Sequence, residues 1–320
     1  MMRLACFLAF LPGLVLAEPR VDATLDTHIL PGFNSLSEAT ANLAQSDSCA
    51  PEQEWRAAVD AWTAVSHLRF GPLEADNRGF VLAFWPDPRG ATPKALNDLL
   101  AENPPPLADA SVAGRGLYAM EFLLFDPAFA EREGRCALIA ALADDTYATA
   151  RAIETDWRDR FAPLLRTPGN DTYQSDQEAL QELYKALLTG LLFTSETRLG
   201  RPLGTFDRAR PKRAEMRRSG QSLANTRSAL DSLRQLAGLL AAGHPVVAAD
   251  LDAGFAKALL QVDEIETLDG GADLSLVASP ASRLKVEILQ QDINAIRNLA
   301  SAELGPLLGV IAGFNSLDGD

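Results

Sequence analysis

Histidine is scarce in this sequence, which has only three among its 320 residues: His28, His67 and His244. None of them stands with a carboxylate at the spacing of a metal site, and the His-Glu-x-x-His pattern of zinc peptidases does not occur. The three cysteines form no Cys-x-x-Cys-His motif, which excludes covalent haem attachment of the c type. No serine or cysteine nucleophile can be assigned a histidine partner from spacing alone. The sequence therefore assigns no catalytic residue.

Basic residues are outnumbered by acidic ones. The chain has 29 Lys and Arg against 43 Asp and Glu, and its formal net charge is −14. Nucleic acids and anionic membranes bind clustered Lys and Arg, so this balance makes both poor partners. Beyond its first residues the chain also lacks the run of about 20 apolar residues that a transmembrane helix needs. We expect neither a nucleic acid partner nor a transmembrane span.

Residues 1–17 differ in character from the rest of the chain. They have a charged start at Arg3, a short apolar run and a small residue, Ala17, before a polar break, which predicts a signal peptide cleaved after Ala17. We therefore expect export to the periplasm or cell envelope. In an oxidising compartment the two remaining cysteines, Cys49 and Cys136, favour a disulfide. Two buried free thiols are the alternative.

Apolar residues recur at helical spacing along almost the whole chain, and strand-like alternation is nearly absent. The longest stripe steps by four and three residues from Cys136 to Leu164, which predicts one long helix packed along this stripe. Prolines punctuate residues 71–106, and loops of that length are often functional. We predict an all-α fold of helical bundles. A turn-rich break divides the mature chain into an N-terminal half, residues 18–168, and a C-terminal half, residues 169–320.

Local motifs mark two helix starts and one short repeat. Ser175 with Glu178 predicts a capping box, and Ser279 predicts an N-cap before a first-turn proline. The pentapeptide Gly-Phe-Asn-Ser-Leu occurs at residues 32–36 and again at 313–317. The repeat favours paired chain termini and two pseudo-symmetric bundles, although five residues are too few to establish a duplication.

Six clusters, in their joint order, carry a family resemblance that spans nearly the whole mature chain. They are residues 70–74, 84–87, 114–125, 198–204, 210–223 and 313–320. Together they resemble the imelysin-like family, which is named for a metallopeptidase and known from bacterial envelope proteins linked to iron uptake. The resemblance implies an all-helical, imelysin-like domain of two bundle-like halves with a ligand site near their junction.

The signature of that family is a Gly-x-His-x-x-Glu run, in which His and Glu share one helical face and could both reach a metal. The matching stretch, residues 116–121, has Tyr118 in place of the histidine and keeps Glu121. A neutral phenol is a poor ligand for most divalent metals, although tyrosinate binds ferric iron. Glu121 is therefore the only metal-ligand candidate of the motif, and a zinc-type peptidase is disfavoured.

Glu121 and the basic segment that begins at residue 210 define the candidate site. Burying Glu121 on an apolar helix requires a partner, for which Arg198 and Arg218 are the candidates. We expect Arg218 and Ser222 to share one helical face and either bind an anion or neutralise buried acids. The candidate ligand-binding residues are Tyr118, Glu121, Arg198, Glu215, Arg218, Ser219 and Ser222.

Three tryptophans leave a further alternative open. Trp55, Trp62 and Trp85 could stack on a planar ligand such as haem, but aromatic residues at helical spacing more often belong to the core. The leading functional hypothesis is a non-enzymatic exported protein that binds iron, haem or another iron-related ligand, or an envelope protein partner. A metal-dependent hydrolase and an envelope interaction scaffold are the alternatives.

Overall fold

The computed structural model describes residues 18–102 and 107–310. Within these ranges the chain is helical and has no β-strand, with a single isolated bridge between Thr205 and Arg208. The predicted all-α fold is confirmed. The predicted signal peptide and the second copy of the pentapeptide lie outside the described residues. None of the helices in the described ranges is long and apolar enough to cross a membrane.

The chain begins with helices that bury the predicted apolar stripes. They are α1 (Pro19–Thr24), a π-helical segment (Leu25–Ile29), α2 (Leu30–Ala44) and α3 (Glu52–Val65). In α2 the buried side chains include Phe33, Leu36 and Leu43, which are spaced at one helical face. In α3 the buried Trp55 and Val59 likewise lie on one helical face. The amphipathic pattern thus fixes which side of each helix faces the core.

Prolines and glycines limit the next region to short elements. These are the helices α4 (Arg78–Leu82), α5 (Ala91–Leu100) and α6 (Gly116–Phe125), with 3-10 turns at Gly71–Leu73, Ala75–Asn77, Leu107–Asp109, Val112–Gly114 and Pro127–Phe129. Asp87 starts α5 by accepting hydrogen bonds from the backbone N–H of Ala91 and of Thr92, both at 2.9 Å. Helix α6, which carries the family signature, packs against α3, α4 and α5.

The predicted long helix is present, but it is rotated. It comprises α7 (Arg135–Asp156), a π-helical segment (Trp157–Phe161) and α8 (Ala162–Arg166). The buried face contains Leu142, Thr146 and Ile153 together with three members of the predicted stripe, Ala143, Ala150 and Trp157. The other members of the stripe are half-buried or exposed. Leucine and isoleucine bury more apolar area than the alanines of the predicted stripe, which explains the rotation.

A disulfide joins Cys49 to Cys136 across 87 residues, with the two Cα atoms 4.8 Å apart. The predicted pairing is confirmed, and the alternative of two buried thiols is wrong. The bridge fastens the loop after α2 to the first turn of α7. Closing a loop of this length removes conformational entropy from the unfolded chain, and the loop-entropy relation gives a stabilisation of about 4.6 kcal/mol.

The remaining helices form a second group. They are α9 (Asp176–Leu192), a π-helical segment (Phe193–Leu199), α10 (Gly200–Leu203), α11 (Ser222–Leu240), α12 (Pro245–Glu266), α13 (Pro280–Leu299), a π-helical segment (Ala300–Leu304) and α14 (Gly305–Leu308). Ser175 is the N-cap of α9 as predicted, because its hydroxyl accepts from the Glu178 N–H. The Glu178 carboxylate accepts from the Gln174 N–H, one residue before the N–H that a capping box uses. Ser279 occupies the N-cap of α13 but makes no capping hydrogen bond.

The two groups pack on each other through α3 and α11, and α1 also contacts α9 and α11. Helix α11 packs in turn against α12, and α12 against α13. The junction between α3, α6 and the segment leading into α11 is where the candidate site lies. The division of the mature chain at residues 168 and 169 stays a prediction.

Candidate functional site

The signature helix α6 places two polar side chains in the interior. Tyr118 and Glu121 lie one turn apart, and only 6% and 2% of their surfaces are exposed. The helix starts at Gly116, whose φ of +72° turns the chain sharply out of the extended Arg115. Trp55 fixes the same end of the helix, since its indole N–H donates to the Leu117 carbonyl at 3.0 Å.

Glu121 is held by the segment that precedes α11. Its Oε1 accepts hydrogen bonds from the backbone N–H of Arg218 at 2.9 Å and from the backbone N–H and hydroxyl of Ser219, both at 3.1 Å. The Arg218 guanidinium lies 3.8 Å from Oε2. Burial raises the pKa of Glu121, and the hydrogen bonds from Ser219 and the charge of Arg218 oppose that rise. The carboxylate is thus a structural acceptor that ties α6 to this segment.

Arg218 divides its interactions among three acceptors. Its Nε donates to the Asp126 carboxylate at 2.6 Å, and its guanidinium carbon lies 3.5 Å from the centre of the Phe122 ring. The contact with Glu121 is longer, so Asp126 is its main ion-pair partner. Asp126 was absent from the sequence-derived candidates. Asp126 is the fifth residue after Glu121 and lies just past the end of α6, where helical spacing no longer applies.

The other candidates form a second buried network. Glu215 accepts from the Tyr118 hydroxyl and from the Arg198 Nε, the latter at 2.9 Å. Arg198 also donates to the Ser66 hydroxyl at 3.1 Å. Only 4% of Arg198 and 2% of Glu215 are exposed. Arg198 therefore neutralises Glu215 and not Glu121, so the candidate pairing of Arg198 with Glu121 is wrong.

The protonation state of Tyr118 follows from this network. Burial, together with the charge of Glu215, raises the pKa of Tyr118 well above its usual value. The phenol is therefore neutral near pH 7 and donates its proton to Glu215. Formation of a tyrosinate, the form that binds ferric iron, is disfavoured at this position.

The predicted helical relation between Arg218 and Ser222 is wrong. Met216 and Gly220 have φ values of +45° and +71°, so residues between them turn sharply, and α11 begins only at Ser222. The Ser219 hydroxyl shares its single proton between Glu121 and the Met216 carbonyl oxygen, which lies 2.8 Å away, and the Ser222 hydroxyl donates to the Glu215 carbonyl. Both serines hold the turn in place. The structure nevertheless brings all seven candidates together between α6, the π-helical segment after α9 and this turn.

The donor set does not fit a metal centre. In the described part of the chain no three His, Cys, Asp or Glu side chains lie together as a metal site. The Glu121 oxygens already face Arg218 and Ser219, and Tyr118 occupies the position of the signature histidine. A divalent ion at Glu121 would have to displace these hydrogen bonds without a second ligand on α6.

A cleft of about 250 Å³ opens over this network. Its walls include Trp85, Tyr118 and Glu121, and its basic lining residues are Arg201, Lys212, Arg213 and Arg218. Arg201, Lys212 and Arg213 form no ion pair with any residue in the described ranges, and the Arg201 Nε has no hydrogen-bond partner there. We call this cleft, lined by those four basic residues, the basic cleft.

Aromatic stacking shapes one wall of the basic cleft. The Trp85 and Tyr118 rings lie nearly parallel, with centres 6.3 Å apart, and the Arg201 guanidinium lies 5.9 Å from the Trp85 ring. Burial and the charge of Arg213 lower the pKa of Arg201, which is the signature of unpaired positive charges held close together. Of the three tryptophans considered for a planar ligand, Trp85 lines this cleft, whereas Trp55 is fully buried in the core.

Sequence reasoning also missed a buried histidine pair. The Nε2 atoms of His28 and His67 lie 3.0 Å apart, and His28 Nδ1 lies 3.0 Å from the Gln235 side-chain oxygen. Burial lowers the pKa of His28, and burial with the charges of His28 and Arg198 lowers the pKa of His67 well below its usual value. Both rings are therefore neutral near pH 7. No spacing signal exists for this pair, because His28 lies in the π-helical segment after α1 and His67 in the turn after α3.

The fold and the signature helix define an imelysin-type protein. The imelysin family profile (peptidase M75) matches residues 29–300, and the chain therefore belongs to the imelysin family. No curated protein matches the chain.

Two solved structures are similar to this one. An imelysin-like protein from Psychrobacter arcticum 273-4 superposes with a TM-score of 0.76 at 21% identity, covering 92% of this chain and 96% of its own. A "putative iron-regulated protein A precursor" from Parabacteroides distasonis ATCC 8503 superposes with a TM-score of 0.68 at 12% identity, covering 88% and 94%. At these identities the likeness establishes the fold alone.

Proposed function

We propose that this protein is an exported, non-enzymatic binding protein of the cell envelope that takes part in iron uptake, and that its basic cleft binds an anionic iron complex. The observation that carries the proposal is the distribution of charge. The carboxylates of Glu121, Glu215 and the cleft-lining Asp87 all accept hydrogen bonds inside the protein. Arg201, Lys212 and Arg213 line the cleft without an ion-pair partner in the described ranges. Such a site attracts anions and repels free metal cations.

The chemistry of ferric chelates suits this arrangement. Ferric iron outside cells is held by carboxylate or phenolate groups, and its complexes with excess ligand carry negative charge. Guanidinium groups bind carboxylates through two parallel hydrogen bonds. The cleft volume of about 250 Å³ lies below the usual range of pockets that enclose drug-sized ligands, about 300 to 1,000 Å³, which favours a small chelate over haem. The name of the Parabacteroides protein and the family resemblance supply the link to iron.

A scaffold function is the second candidate, and one feature favours it. Phe206 is 90% exposed at the tip of the turn closed by Thr205 and Arg208. An exposed aromatic residue beside basic side chains is a common anchor for an acidic protein partner. A metal-dependent hydrolase receives no comparable support from the geometry.

Isothermal titration with ferric citrate in excess citrate tests the proposal. We expect binding to the wild-type protein and, for Arg213→Gln, a loss of about tenfold or more, since a hydrogen bond to a charged group contributes about 1.5 to 3 kcal/mol. Arg234→Gln is the matched control, because Arg234 pairs with Asp252 on α12 and does not line the cleft. Equal affinities of the wild type and Arg213→Gln, or no binding at all, would contradict the proposal.

A further inference from the structure

Trp85 separates the basic cleft from a second cavity of about 340 Å³. The two share no other lining residue. The second cavity lies between the end of α3, the 3-10 turns that follow it and α4. Its volume lies within the range of about 300 to 1,000 Å³ that encloses small organic ligands.

The walls of this cavity are mainly apolar. Trp62, Leu73 and Ala83 contribute side chains that are otherwise buried in the core. Phe80 also lines it and is 56% exposed, which makes it one of the few large apolar side chains on the surface of the described chain. An exposed aromatic ring at the wall of a cavity gains from burial, so an apolar ligand would be stabilised here.

Arg69 is the one basic residue in the lining of this cavity, which also contains the exposed Glu74 and the polar residues Ser66 and Asn77. Arg69 donates from Nε to the Ser66 carbonyl at 3.2 Å, and its guanidinium lies 3.9 Å from the centre of the Phe193 ring. It forms no ion pair with any carboxylate in residues 18–102 or 107–310. The nearby Glu215 is already paired with Arg198. Arg69 therefore has guanidinium N–H groups that no carboxylate of the described residues accepts, at the edge of a mainly apolar cavity.

The backbone holds the cavity open. Asp76 and Asn77 both have left-handed φ values, 53° and 54°, and this sharp turn directs α4 so that Phe80 forms a wall. Asp and Asn adopt this region more readily than other non-glycine residues, so the turn follows from its sequence. Arg78 fixes the turn to α7 through an ion pair with Asp156 at 2.6 Å.

We propose that this second cavity binds a small aromatic monocarboxylate, with its ring among Trp62, Phe80 and Trp85 and its carboxylate on Arg69. Arg69 forms no ion pair with Glu74, the carboxylate that also lines this cavity, so its guanidinium can bind one ligand carboxylate, and the apolar walls match an aromatic body. The inference concerns a different cavity from the proposed iron-complex site and does not depend on it.

The test uses 2-naphthoate and its uncharged analogue 2-naphthamide as probes in isothermal titration of the full protein. We expect the wild type to bind naphthoate at least tenfold more tightly than naphthamide. Arg69→Gln should abolish this preference while leaving naphthamide affinity unchanged. Phe80→Ala, a change at an exposed side chain, should weaken both probes equally, since it removes apolar contact and no charge.

Arg213→Gln serves as the control, because Arg213 lines only the basic cleft. It should leave the affinity of both probes unchanged. The proposal is overturned if the wild type does not prefer naphthoate, if Phe80→Ala has no effect, or if naphthoate binding is lost in Arg213→Gln and retained in Arg69→Gln. The last result would place the carboxylate in the basic cleft.

Discussion

Replacing Arg198 by Met is expected to lower the free energy of unfolding by about 3 to 5 kcal/mol, the usual cost of removing one partner of a buried ion pair. Arg198 and Glu215 are almost completely buried, and the substitution leaves the Glu215 carboxylate with the neutral Tyr118 hydroxyl as its remaining side-chain donor. It also removes the hydrogen bond to the Ser66 hydroxyl. The loss is large because the stranded charge has no access to water.

Urea unfolding followed by circular dichroism measures this effect. Arg227→Met is the control, since Arg227 pairs with Asp263 and Glu266 on an exposed surface, where ion pairs contribute about 0 to 1 kcal/mol. A loss below about 1 kcal/mol for Arg198→Met would show that water reaches Glu215 and that the network of Tyr118, Arg198 and Glu215 is not buried.

Replacing Gly116 by Ala should be comparably damaging, with an expected loss of about 3 to 5 kcal/mol, the upper range for single substitutions. A Cβ atom at this position would lie 2.1 Å from the Val81 carbonyl oxygen and 2.4 Å from that of Leu82. These are backbone atoms, so a side-chain rotation cannot relieve the contact. The φ of +72° adds strain that only glycine avoids. The glycine of the family signature is thus required by the backbone, independently of the residue at position 118.

Thermal and urea unfolding of Gly238→Ala supply the control. Gly238 lies inside α11, and a Cβ there meets no atom within 4 Å. This substitution should stabilise the protein by about 0.5 to 1 kcal/mol, because it restricts only the unfolded chain. If Gly116→Ala leaves stability unchanged, then Gly116 of α6 does not lie in contact with the Val81 and Leu82 carbonyls of α4.

Helices were predictable from the sequence because apolar spacing and caps are local signals. The stripes of α2 and α3 and the Ser175 cap of α9 are all present where the pattern places them. The burial of α7 was harder to predict, because several of its faces carry apolar residues and only the volume of the packed side chains decides between them. The turn before α11 was missed although Gly220 carries a turn signal, because the other left-handed residue, Met216, carries none.

The sequence predicted which residues lie together at the candidate site, but not which of them form ion pairs with each other. Tyr118 and Glu121 are identified by the signature, and Arg218 was one of two candidate partners for Glu121. The contacts of Arg198 with Glu215, and of Arg218 with Asp126, join residues from separate elements. Periodicity within one helix carries no information about such contacts, which depend on how the helices pack.

The most direct measurement of the central claim compares an anionic iron complex with a free cation. Wild-type protein is dialysed against ferric citrate and, separately, against zinc chloride, and bound metal is determined by atomic absorption. If the basic cleft is an anion site beside satisfied carboxylates, one equivalent of iron is retained with citrate and no zinc is retained. Stoichiometric zinc that disappears in Glu121→Gln would contradict this account, because it would make Glu121 a metal ligand.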